Sequence, residues 1–345
     1  MIFVLYTNIV SPHQMALAKR LSRVQCIEFY YIYTEKLPKD AAKRGWSWGR
    51  DERWMLYSSD HKERVECLLT SCDVLLSGIR LIDVFEKRIA KGRKTLYMSE
   101  RWFKPVYGLP GWLRLCILPY FRMVRRFSRL FKSQSFYYLP MGPWASFDMM
   151  RACRVTGIGN VDNRMIPWGY YVEPSAWERR EWHAHVPLRI LWVGRMLRCK
   201  RVDTIVRAVS RLRGAQLTLV GQGEKREDLI SLAKGMPVSF LDPVPISHVR
   251  TLMRENDVYV LSSDENEGWG AVLNEAMEEG MRCIGTFEAG ASAAMLPETH
   301  KYHAGDWRSL ASLLMQVLEG HLKPVGIGEW TVERAMGKIM QIVGR

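Results

Sequence analysis

Regular alternation of apolar strands with amphipathic helices in the second half of the chain most constrains its fold. Apolar runs typical of buried strands occur at 188–193, 217–220, 238–241, 258–261 and 283–285. Helical patterns, with apolar residues three and four apart, fall between them near 202–212, 247–255 and 271–279. Strands that alternate with helices of this length form a parallel sheet covered by helices. This half therefore predicts a doubly wound α/β domain.

The first half has a similar but less regular alternation. Strand-like runs occur at 2–6, 27–33, 74–77 and 95–98, with helical patterns at 12–22, 61–70, 81–91 and about 112–132. A polar, Trp-rich insertion covers about 34–60. A chain of 345 residues is long enough for two ordinary domains. We expect a first domain over 1–170, a junction over 171–185, a second domain over 186–327 and a terminal helix over 328–345.

Composition excludes several other classes of protein. Apolar residues make up 48% and charged residues 25%, which is typical of globular domains and unlike disordered chains. No apolar run approaches the ~18 residues of a membrane-spanning helix, and the N-terminus lacks the basic lead of a secretory signal. The seven cysteines are scattered without a C-x-x-C pair, so we expect reduced, mostly buried thiols, no zinc site and a cytosolic protein.

Positive charge is concentrated in the first half. Residues 1–185 hold 30 Lys+Arg against 17 Asp+Glu, whereas 186–345 hold 20 against 19. Within 101–147 there are eight basic side chains and no acidic one. Such asymmetry indicates an anionic partner. The interspersed basic and aromatic residues of 101–132 favour an anionic membrane surface, with a packed helix and a solvated basic face as the alternative; we expect no nucleic acid.

Two motifs in the second half carry chemistry. In the first, a predicted strand ends at Gly194, and Arg195 and Lys200 follow on the strand-to-helix turn. A forked guanidinium and a mobile ammonium at such a turn suit a diphosphate, although a solvated basic turn has the same pattern.

The second motif is Glu-Gly-Trp-Gly at 267–270, between the strand at 258–261 and a helix predicted from Ala271. Free N–H groups and the dipole at such a helix start attract phosphate. Glu275 lies in the second turn, off the apolar face of this helix. A solvated acidic face is the alternative, and it suits Glu278 and Glu279, but it explains the glycine-rich entry poorly.

As an ordered set these motifs resemble the donor-binding half of the retaining glycosyltransferases of family 4. The set is Val-Gly-Arg from 193 with Lys200, Gly-Gln-Gly-Glu-Lys-Arg-Glu-Asp from 221, and two glutamates separated by seven residues, Glu267 and Glu275. The resemblance covers about 188–320, and Ile-Pro-Trp-Gly at 166–169 is similar to the family's turn at the domain junction. It implies the GT-B fold, two Rossmann-like domains facing across a cleft, with the terminal helix returning to the first domain.

The resemblance also implies the roles of individual residues. Arg195 and Lys200 would hold the nucleotide diphosphate as leaving group, and Glu267 would lie against the donor sugar, so these three would be catalytic. Glu275 would accept hydrogen bonds from the ribose hydroxyls. The remaining donor contacts would come from Gly194, Gly221, Gly223, Val244, Gly268, Trp269 and Gly270. Catalysis would be mainly electrostatic, with fixed cations meeting the charge that develops on the leaving group.

The first half departs from the family pattern. Many members have a glycine pair after the first strand, where this chain has Thr7-Asn8, and His13 would face the cleft unless it is an ordinary surface or capping histidine. Where many members place a histidine near the donor sugar, this chain has Glu100 and Arg101. We interpret His13, Glu100 and Arg101 as candidate acceptor-binding residues; Glu100 either replaces that histidine or marks a different substrate.

The predicted function is that of a retaining glycosyltransferase. It would move a sugar from a nucleotide-sugar, with UDP favoured over GDP, to a glycan or polyprenyl-diphosphate-linked glycan of a surface polysaccharide, at the cytoplasmic face of a membrane. No Asp-x-Asp pair and no P-loop occur, so we expect a metal-independent enzyme without a cofactor. The alternatives are a non-catalytic basic membrane- or nucleic-acid-binding module on a GT-B shell and a sugar-nucleotide epimerase. A dinucleotide oxidoreductase is disfavoured by the missing G-x-G-x-x-G.

Overall fold

Two parallel six-stranded sheets organise the residues that the computed structural model describes, 1–36, 52–106, 109–173 and 186–344. Each sheet belongs to its own unit. The first unit comprises the described residues of Met1–Lys39 and Trp48–Tyr171, together with Trp330–Arg345, and the second those of Val172–Glu329. Much of the predicted insertion at 34–60 and of the expected junction at 171–185 lies outside the described residues.

The first unit starts at the N-terminus of the chain, and its strands alternate with helices. Its strands are β1 (Ile2–Thr7), β2 (Glu28–Tyr33), β3 (Met55–Tyr57), β4 (Val74–Ser77), β5 (Lys94–Ser99) and β6 (Phe136–Pro140). Its first five helices are α1 (Pro12–Leu21), α2 (Lys62–Ser71), α3 (Ile82–Ile89), α4 (Leu118–Ser128) and α5 (Pro143–Val155). The central strand β4 is buried along its whole length, because helices cover both faces of a parallel sheet.

The second unit repeats this pattern. Its strands are β7 (Leu188–Val193), β8 (Ala215–Val220), β9 (Val238–Leu241), β10 (Val258–Leu261), β11 (Arg282–Thr286) and β12 (Lys301–Tyr302). Its helices are α6 (Val202–Val209), α7 (Arg226–Leu232), α8 (Ile246–Glu255), α9 (Val272–Glu278), α10 (Gly290–Met295) and α11 (Trp307–Leu318). Each unit has its own cluster of buried apolar side chains.

Both sheets have the same strand order. The first runs β3-β2-β1-β4-β5-β6, and the second runs β12-β11-β10-β7-β8-β9. Counted from its own first strand, each is therefore 3-2-1-4-5-6, with every pairing parallel. The order reverses between β1 and β4 in one unit and between β7 and β10 in the other. In sheets of this kind ligands bind beyond the carboxyl ends of the strands at that reversal.

The last helix, α12 (Val332–Val343), packs against α1 within the first unit. The Thr331 hydroxyl caps its start by accepting a hydrogen bond from the Arg334 N–H at 3.4 Å. Near the middle of α12, the Lys338 ammonium donates to the carbonyl oxygen of Pro167 at 3.2 Å. A segment that follows the whole second unit in sequence thus completes the fold of the first.

Three expectations from the sequence are wrong in detail. The helix predicted over 112–132 consists of a 3-10 helix at Gly111–Cys116, then α4, then a 3-10 helix at Arg129–Lys132. Pro119 causes the break before α4, because proline fits only the first turn of a helix. The patterns at 136–140 and 143–155 were not recognised as β6 and α5. Cysteines are not mostly buried: Cys26, Cys67 and Cys116 are exposed, whereas Cys72, Cys153 and Cys283 are buried.

Candidate active site

The three predicted catalytic residues of the second unit lie on the two loops that flank its strand reversal. Arg195 follows β7, and Lys200 ends the 3-10 helix Arg198–Lys200 on the same loop. Glu267 lies between β10 and α9. The Lys200 ammonium forms an ion pair with Oε2 of the Glu267 carboxylate, and the two side chains are 21% and 12% exposed. The structure therefore brings together two residues that are 67 positions apart in sequence.

Two serines at the end of β10 hold this pair, and the sequence motifs gave no signal for them. The Ser263 hydroxyl donates to Oε2 of Glu267 at 2.8 Å, the same oxygen that contacts Lys200. The neighbouring Ser262 hydroxyl donates to the main-chain carbonyl of Lys200 at 2.6 Å. Both serines are fully buried. Their only sequence mark is their place directly after a buried strand.

The Arg195 loop packs backbone against backbone on the loop after β8. The Met196 N–H donates to the carbonyl of Gln222 at 2.8 Å. A Cβ atom at Gly223 would lie 2.5 Å from the carbonyl oxygen of Met196, and Gly221 is packed as closely on Gly194. Gly221 and Gly223 thus shape the loop that carries Arg195. The Arg195 side chain is exposed.

The Glu-Gly-Trp-Gly segment has its backbone at the site and its large side chain in the core. Trp269 is 1% exposed, and its indole N–H donates to Oδ1 of Asn274 at 2.7 Å. Gly270 has φ +92°, a left-handed conformation suited to glycine. A Cβ atom at Gly290 would come within 2.5 Å of the Gly268 carbonyl oxygen, so α10 approaches this segment closely. Only main-chain groups of Trp269 remain as candidates for donor contact.

Glu275 is buried in α9, and burial raises the pKa of its carboxyl to about 7. The positive charge of Arg250 on α8 opposes this shift. Arg250 also forms ion pairs with Glu278 and Glu279, at 2.5 Å and 2.9 Å. The expectation that these two glutamates form a solvated face is wrong: their side chains are 13% and 4% exposed, because α8 packs its arginines against α9.

The remaining predicted donor residue, Val244, lies half-buried in the loop between β9 and α8. Among the described residues, no group of three or more His, Cys, Asp or Glu side chains could hold a metal ion. The cations of this loop cluster are Arg195, Arg198, Lys200 and Arg201. Together they make the carboxyl edge of this sheet suited to an anionic ligand.

The candidate acceptor residues of the first unit divide into two groups. His13 lies at the start of α1, and its ring packs against that of Tyr170 with centroids 5.0 Å apart and the planes tilted by 39°. The charge of Glu100 acts on Tyr170: burial first and Glu100 second raise the pKa of its hydroxyl. Arg101 is instead engaged with Asp148, whose carboxylate is 3% exposed, with Nε to Oδ2 at 3.3 Å. This contact makes Arg101 part of the packing of α5.

A small cavity surrounds His13 within the first unit. Gln14, Met98 and Tyr170 line it with His13, and none of these three was recognised from the sequence. The Gln14 amide oxygen accepts a hydrogen bond from the buried Tyr31 hydroxyl at 2.8 Å, which fixes this wall of the cavity. Tyr170 directly follows the Ile-Pro-Trp-Gly turn, so that turn is the one sequence feature that could have pointed to Tyr170 as a lining residue.

The surface around α4 and α5 combines exposed apolar side chains with unpaired arginines. Arg122, Arg125 and Arg129 are exposed and spaced three and four residues apart, so they lie on one face; we call them the basic stripe of α4. Within the described chain they form no ion pair, whereas Arg126 on the flank pairs with Asp83 at 2.5 Å. Many of the exposed large apolar side chains of the described residues lie nearby, at Val106, Leu109, Trp112, Leu113, Ile117, Leu118, Phe147 and Val155.

Within the part of the chain that the structure describes, no helix is both long and apolar enough to cross a bilayer. The Arg151 guanidinium lies 4.3 Å from the centroid of the Trp112 ring. This stacking connects the exposed face of α5 with the apolar segment before α4. The only acidic residue between 101 and 155 is the buried Asp148.

Two Rossmann-like units of this strand order, with a cationic loop cluster at the reversal of the second, define the class of α/β proteins with the GT-B fold. Residues 187–320 match the family model of the glycosyl transferases group 1. Residues 187–320 are thus similar to that family, as their motifs predicted, and the fold prediction is confirmed.

Solved structures support this fold over the whole chain. The apo form of the lipopolysaccharide outer core galactosyltransferase WaaB superposes with a TM-score of 0.69 at 14% identity, covering 100% of this chain and 99% of that one. Anabaena HepE, solved with UDP, gives 0.67 at 10% identity and covers 100% of both chains. A glycosyltransferase from Rickettsia africae gives 0.63 at 14% identity, covering 99% of this chain and 97% of that one.

A curated relative matches over a shorter stretch. The sulfoquinovosyl transferase SQD2 of Arabidopsis thaliana is 28% identical over 116 residues, 34% of this chain. The match spans 22% of the length of the plant protein.

Proposed function

We propose that this protein transfers a sugar from a nucleotide-sugar to a glycan or lipid-linked glycan acceptor, with retention of the anomeric configuration, in surface-polysaccharide synthesis. The observation that carries the proposal is the Lys200–Glu267 ion pair at the strand reversal of a group 1 glycosyl transferase unit. It supplies a cation for a diphosphate and a carboxylate for a sugar hydroxyl on two adjacent loops. Arg195 adds a second cation on the Lys200 loop.

These residues divide the chemistry between them. As the bond from the anomeric carbon to the diphosphate breaks, negative charge develops on the departing phosphate oxygen, where Arg195 and Lys200 stabilise it. An acceptor hydroxyl attacks the anomeric carbon from the face of departure and passes its proton to the departing phosphate oxygen, which carries the developing negative charge. Glu275 accepts hydrogen bonds from the ribose hydroxyls, and Glu267 orients the sugar. The main-chain groups of Gly268 to Gly270 face the donor.

A UDP-sugar is the donor that we favour. Two structures of Anabaena HepE contain UDP or UDP-glucose, and that protein superposes on this chain over its full length. Two cationic side chains at the diphosphate can do the work of a divalent ion, so we propose that the transfer needs no metal.

The test is release of nucleotide from UDP-glucose, UDP-galactose and GDP-mannose in the presence of EDTA. We expect release from one donor, and a fall of about 100-fold in Lys200→Ala, as for loss of one charge-stabilising donor. Lys234→Ala is the control, because Lys234 is exposed and precedes β9, at the opposite edge of the sheet. An equal loss in both variants, or release only without EDTA, would contradict the proposal.

The rival functions give other results in the same assay. A sugar-nucleotide epimerase converts the donor without releasing nucleotide. A binding module shows neither release nor thermal stabilisation by UDP or GDP. Either result would overturn the transferase proposal.

We propose that the acceptor contacts the first unit at the surface formed by His13, Tyr170 and Glu100. His13, Tyr170 and Glu100 supply a ring surface and a carboxylate, which suit a sugar with its hydroxyls. Arg101 is not included, because its guanidinium is engaged with Asp148. Tyr170→Phe keeps the ring packed against His13 and removes only the hydroxyl, so we expect it to raise KM for the acceptor and leave UDP affinity unchanged.

We also propose that the protein binds the inner face of an anionic membrane as a peripheral protein. The basic stripe of α4 is complementary to anionic headgroups, and the exposed Ile117 and Leu118 at the start of α4 can enter the apolar boundary. A polyprenyl-diphosphate-linked acceptor would be presented at such a surface.

Sedimentation with phosphatidylglycerol vesicles tests this surface, with phosphatidylcholine vesicles alongside. Neutralising three arginines removes about 1 kcal/mol each, so we expect about 100-fold weaker binding. The variant is Arg122→Gln, Arg125→Gln, Arg129→Gln; the control with the same charge change is Arg213→Gln, Lys234→Gln, Lys323→Gln. Equal losses in both, or tighter binding to single-stranded DNA than to vesicles, would contradict a membrane surface.

A further inference from the structure

The two buried serines after β10 attach to different partners of the Lys200–Glu267 ion pair. The Ser263 hydroxyl bonds the Glu267 carboxylate at 2.8 Å, and the Ser262 hydroxyl bonds the Lys200 main chain at 2.6 Å. Both are fully buried at the end of one strand. Successive side chains of a strand point to opposite sides, so adjacent serines can serve two separate loops.

The main chain of Ser263 is itself fixed by a hydrogen bond from the neighbouring strand. The hydroxyl of Thr286, at the end of β11, donates to the Ser263 carbonyl oxygen at 2.6 Å. Thr286 is fully buried. A chain of hydrogen bonds therefore runs from the end of β11 through Ser263 to the carboxylate of Glu267. Thr286 fixes the main chain of Ser263, and the fully buried Ser263 hydroxyl is thereby held where it donates to Glu267.

The ion pair alone is a poor anchor for Glu267. Oε2 of Glu267 contacts both Lys200 and Ser263. If Lys200 binds a diphosphate, its ammonium must share its charge between the phosphate oxygens and the carboxylate. The attraction between Lys200 and Glu267 then weakens while the Glu267 carboxylate has to orient the sugar. The hydrogen bond from Ser263 does not involve Lys200 and is unaffected.

We propose that Ser263 is a positioning residue that keeps Glu267 in place while Lys200 engages the donor diphosphate, and that Ser262 does the same for Lys200 through its main chain. This rests on the proposed function, which assigns Lys200 to the diphosphate and Glu267 to the sugar. Removing either hydroxyl should therefore affect a different part of the donor.

Ser263→Ala and Ser262→Ala are matched variants, because each removes one buried hydroxyl from the same strand end. We expect Ser263→Ala to lower kcat for UDP-sugar turnover about 10- to 100-fold, as for a misplaced orienting group, with the Kd for UDP unchanged. We expect Ser262→Ala to weaken UDP binding about 5- to 10-fold, as for loss of one hydrogen bond to a ligand-holding loop.

A third measurement separates positioning from general destabilisation. In a Glu267→Gln background, Ser263→Ala should cause less than a twofold further loss of turnover, because its effect passes through the carboxylate. Thermal unfolding of both serine variants should show similar decreases in Tm. A loss of stability alone would lower both UDP binding and turnover in both variants.

The outcomes distinguish the inference from the function on which it rests. Wild-type protein that neither binds UDP or GDP nor releases nucleotide would overturn the proposed function and, with it, this inference. Active wild-type protein with unchanged kcat in Ser263→Ala, with equal effects of the two serines on UDP affinity, or with a full further loss in the Glu267→Gln background would overturn the inference alone.

Discussion

A Cβ atom on Gly221 would lie 1.9 Å from the carbonyl oxygen of Gly194, because the loops after β7 and β8 pack backbone against backbone. Gly221 also has φ +134°, which side chains rarely adopt. We expect Gly221→Ala to lower the free energy of unfolding of the second unit by more than about 3 kcal/mol, since the clash is with rigid backbone. Chemical denaturation followed by tryptophan fluorescence would measure this.

Gly235→Ala is the matched control for this substitution. Gly235 has φ +78°, but nothing lies within 4 Å of its Cβ position. We expect a loss of about 1 kcal/mol, the strain of a left-handed residue without a clash. Equal losses in the two variants would show that the loops can separate to accept a side chain.

Glu275 makes stability depend on pH. Burial raises its pKa from 4.5 to about 7, so between these values the folded state binds more protons than the unfolded state. The free energy of unfolding therefore falls as pH rises through this range. We expect Glu275→Gln to remove this decrease, gaining on the order of 3 kcal/mol relative to wild type between pH 4.5 and pH 8. Urea denaturation at several pH values measures the free energy of unfolding of both proteins. If the two proteins showed the same dependence on pH, the raised pKa of Glu275 would be contradicted.

Nucleotide affinity should show the opposite dependence. The ionised Glu275 carboxylate is the better acceptor for ribose hydroxyls, so affinity for UDP should rise about tenfold from pH 6 to pH 8, a tenfold change per unit below the pKa. In Glu275→Gln the affinity should be weaker and independent of pH over this range. Calorimetric titration with UDP at each pH would measure this affinity. If the affinity of Glu275→Gln also changed with pH, a group other than Glu275 would be responsible.

Asp148 holds the segment after β5. Its carboxylate accepts from Arg101 at 3.3 Å and from the Phe103 N–H at 3.0 Å, and it is buried. We expect Asp148→Ala to cost about 3 kcal/mol, because it removes the buried carboxylate that accepts from both the Arg101 guanidinium and the Phe103 N–H. Arg126→Ala, at an exposed ion pair, should leave stability nearly unchanged. A smaller loss of stability in Asp148→Ala would show that Asp148 holds Arg101 only weakly, and Arg101 would again be a candidate for acceptor binding.

Trp269 and Asn274 form a buried pair within the donor motif. Trp269→Phe leaves Oδ1 of Asn274 without the indole N–H that it accepts from at 2.7 Å. We expect a loss of about 2 kcal/mol with the Kd for UDP unchanged, since the Trp269 side chain lies in the core. A weaker UDP complex would instead place the indole in the donor site.

The second unit was predictable because its period and motifs agree. The strands β7 and β10 end close to the residues that carry the two motifs, so both loops could be located from the sequence, whereas the ion pair between Lys200 and Glu267 was not predicted. β6 and α5 were missed because Pro140 and Pro143 interrupt the local pattern and their burial depends on β5 and α4.

Long-range hydrogen bonds explain what the sequence could not show. Ser263 looks like any serine after a strand, and its bond to Glu267 exists only in the folded loop. Arg101 looked available because Asp148 is 47 residues away. Glu278 and Glu279 looked solvated because their arginine partners lie on α8.

The identical strand order of the two sheets has a consequence for how such a chain can change. Each unit has a separate apolar core and its own set of loops beyond the carboxyl ends of its strands. If the second unit binds the donor and the first unit the acceptor, as we propose, a substitution in the loops after β7 or β10 would alter donor choice without entering the core that folds the first unit. A substitution on α1 would alter acceptor choice without entering the core of the second unit. The two specificities could then evolve separately, and a new pairing of donor and acceptor would require changes in one unit only.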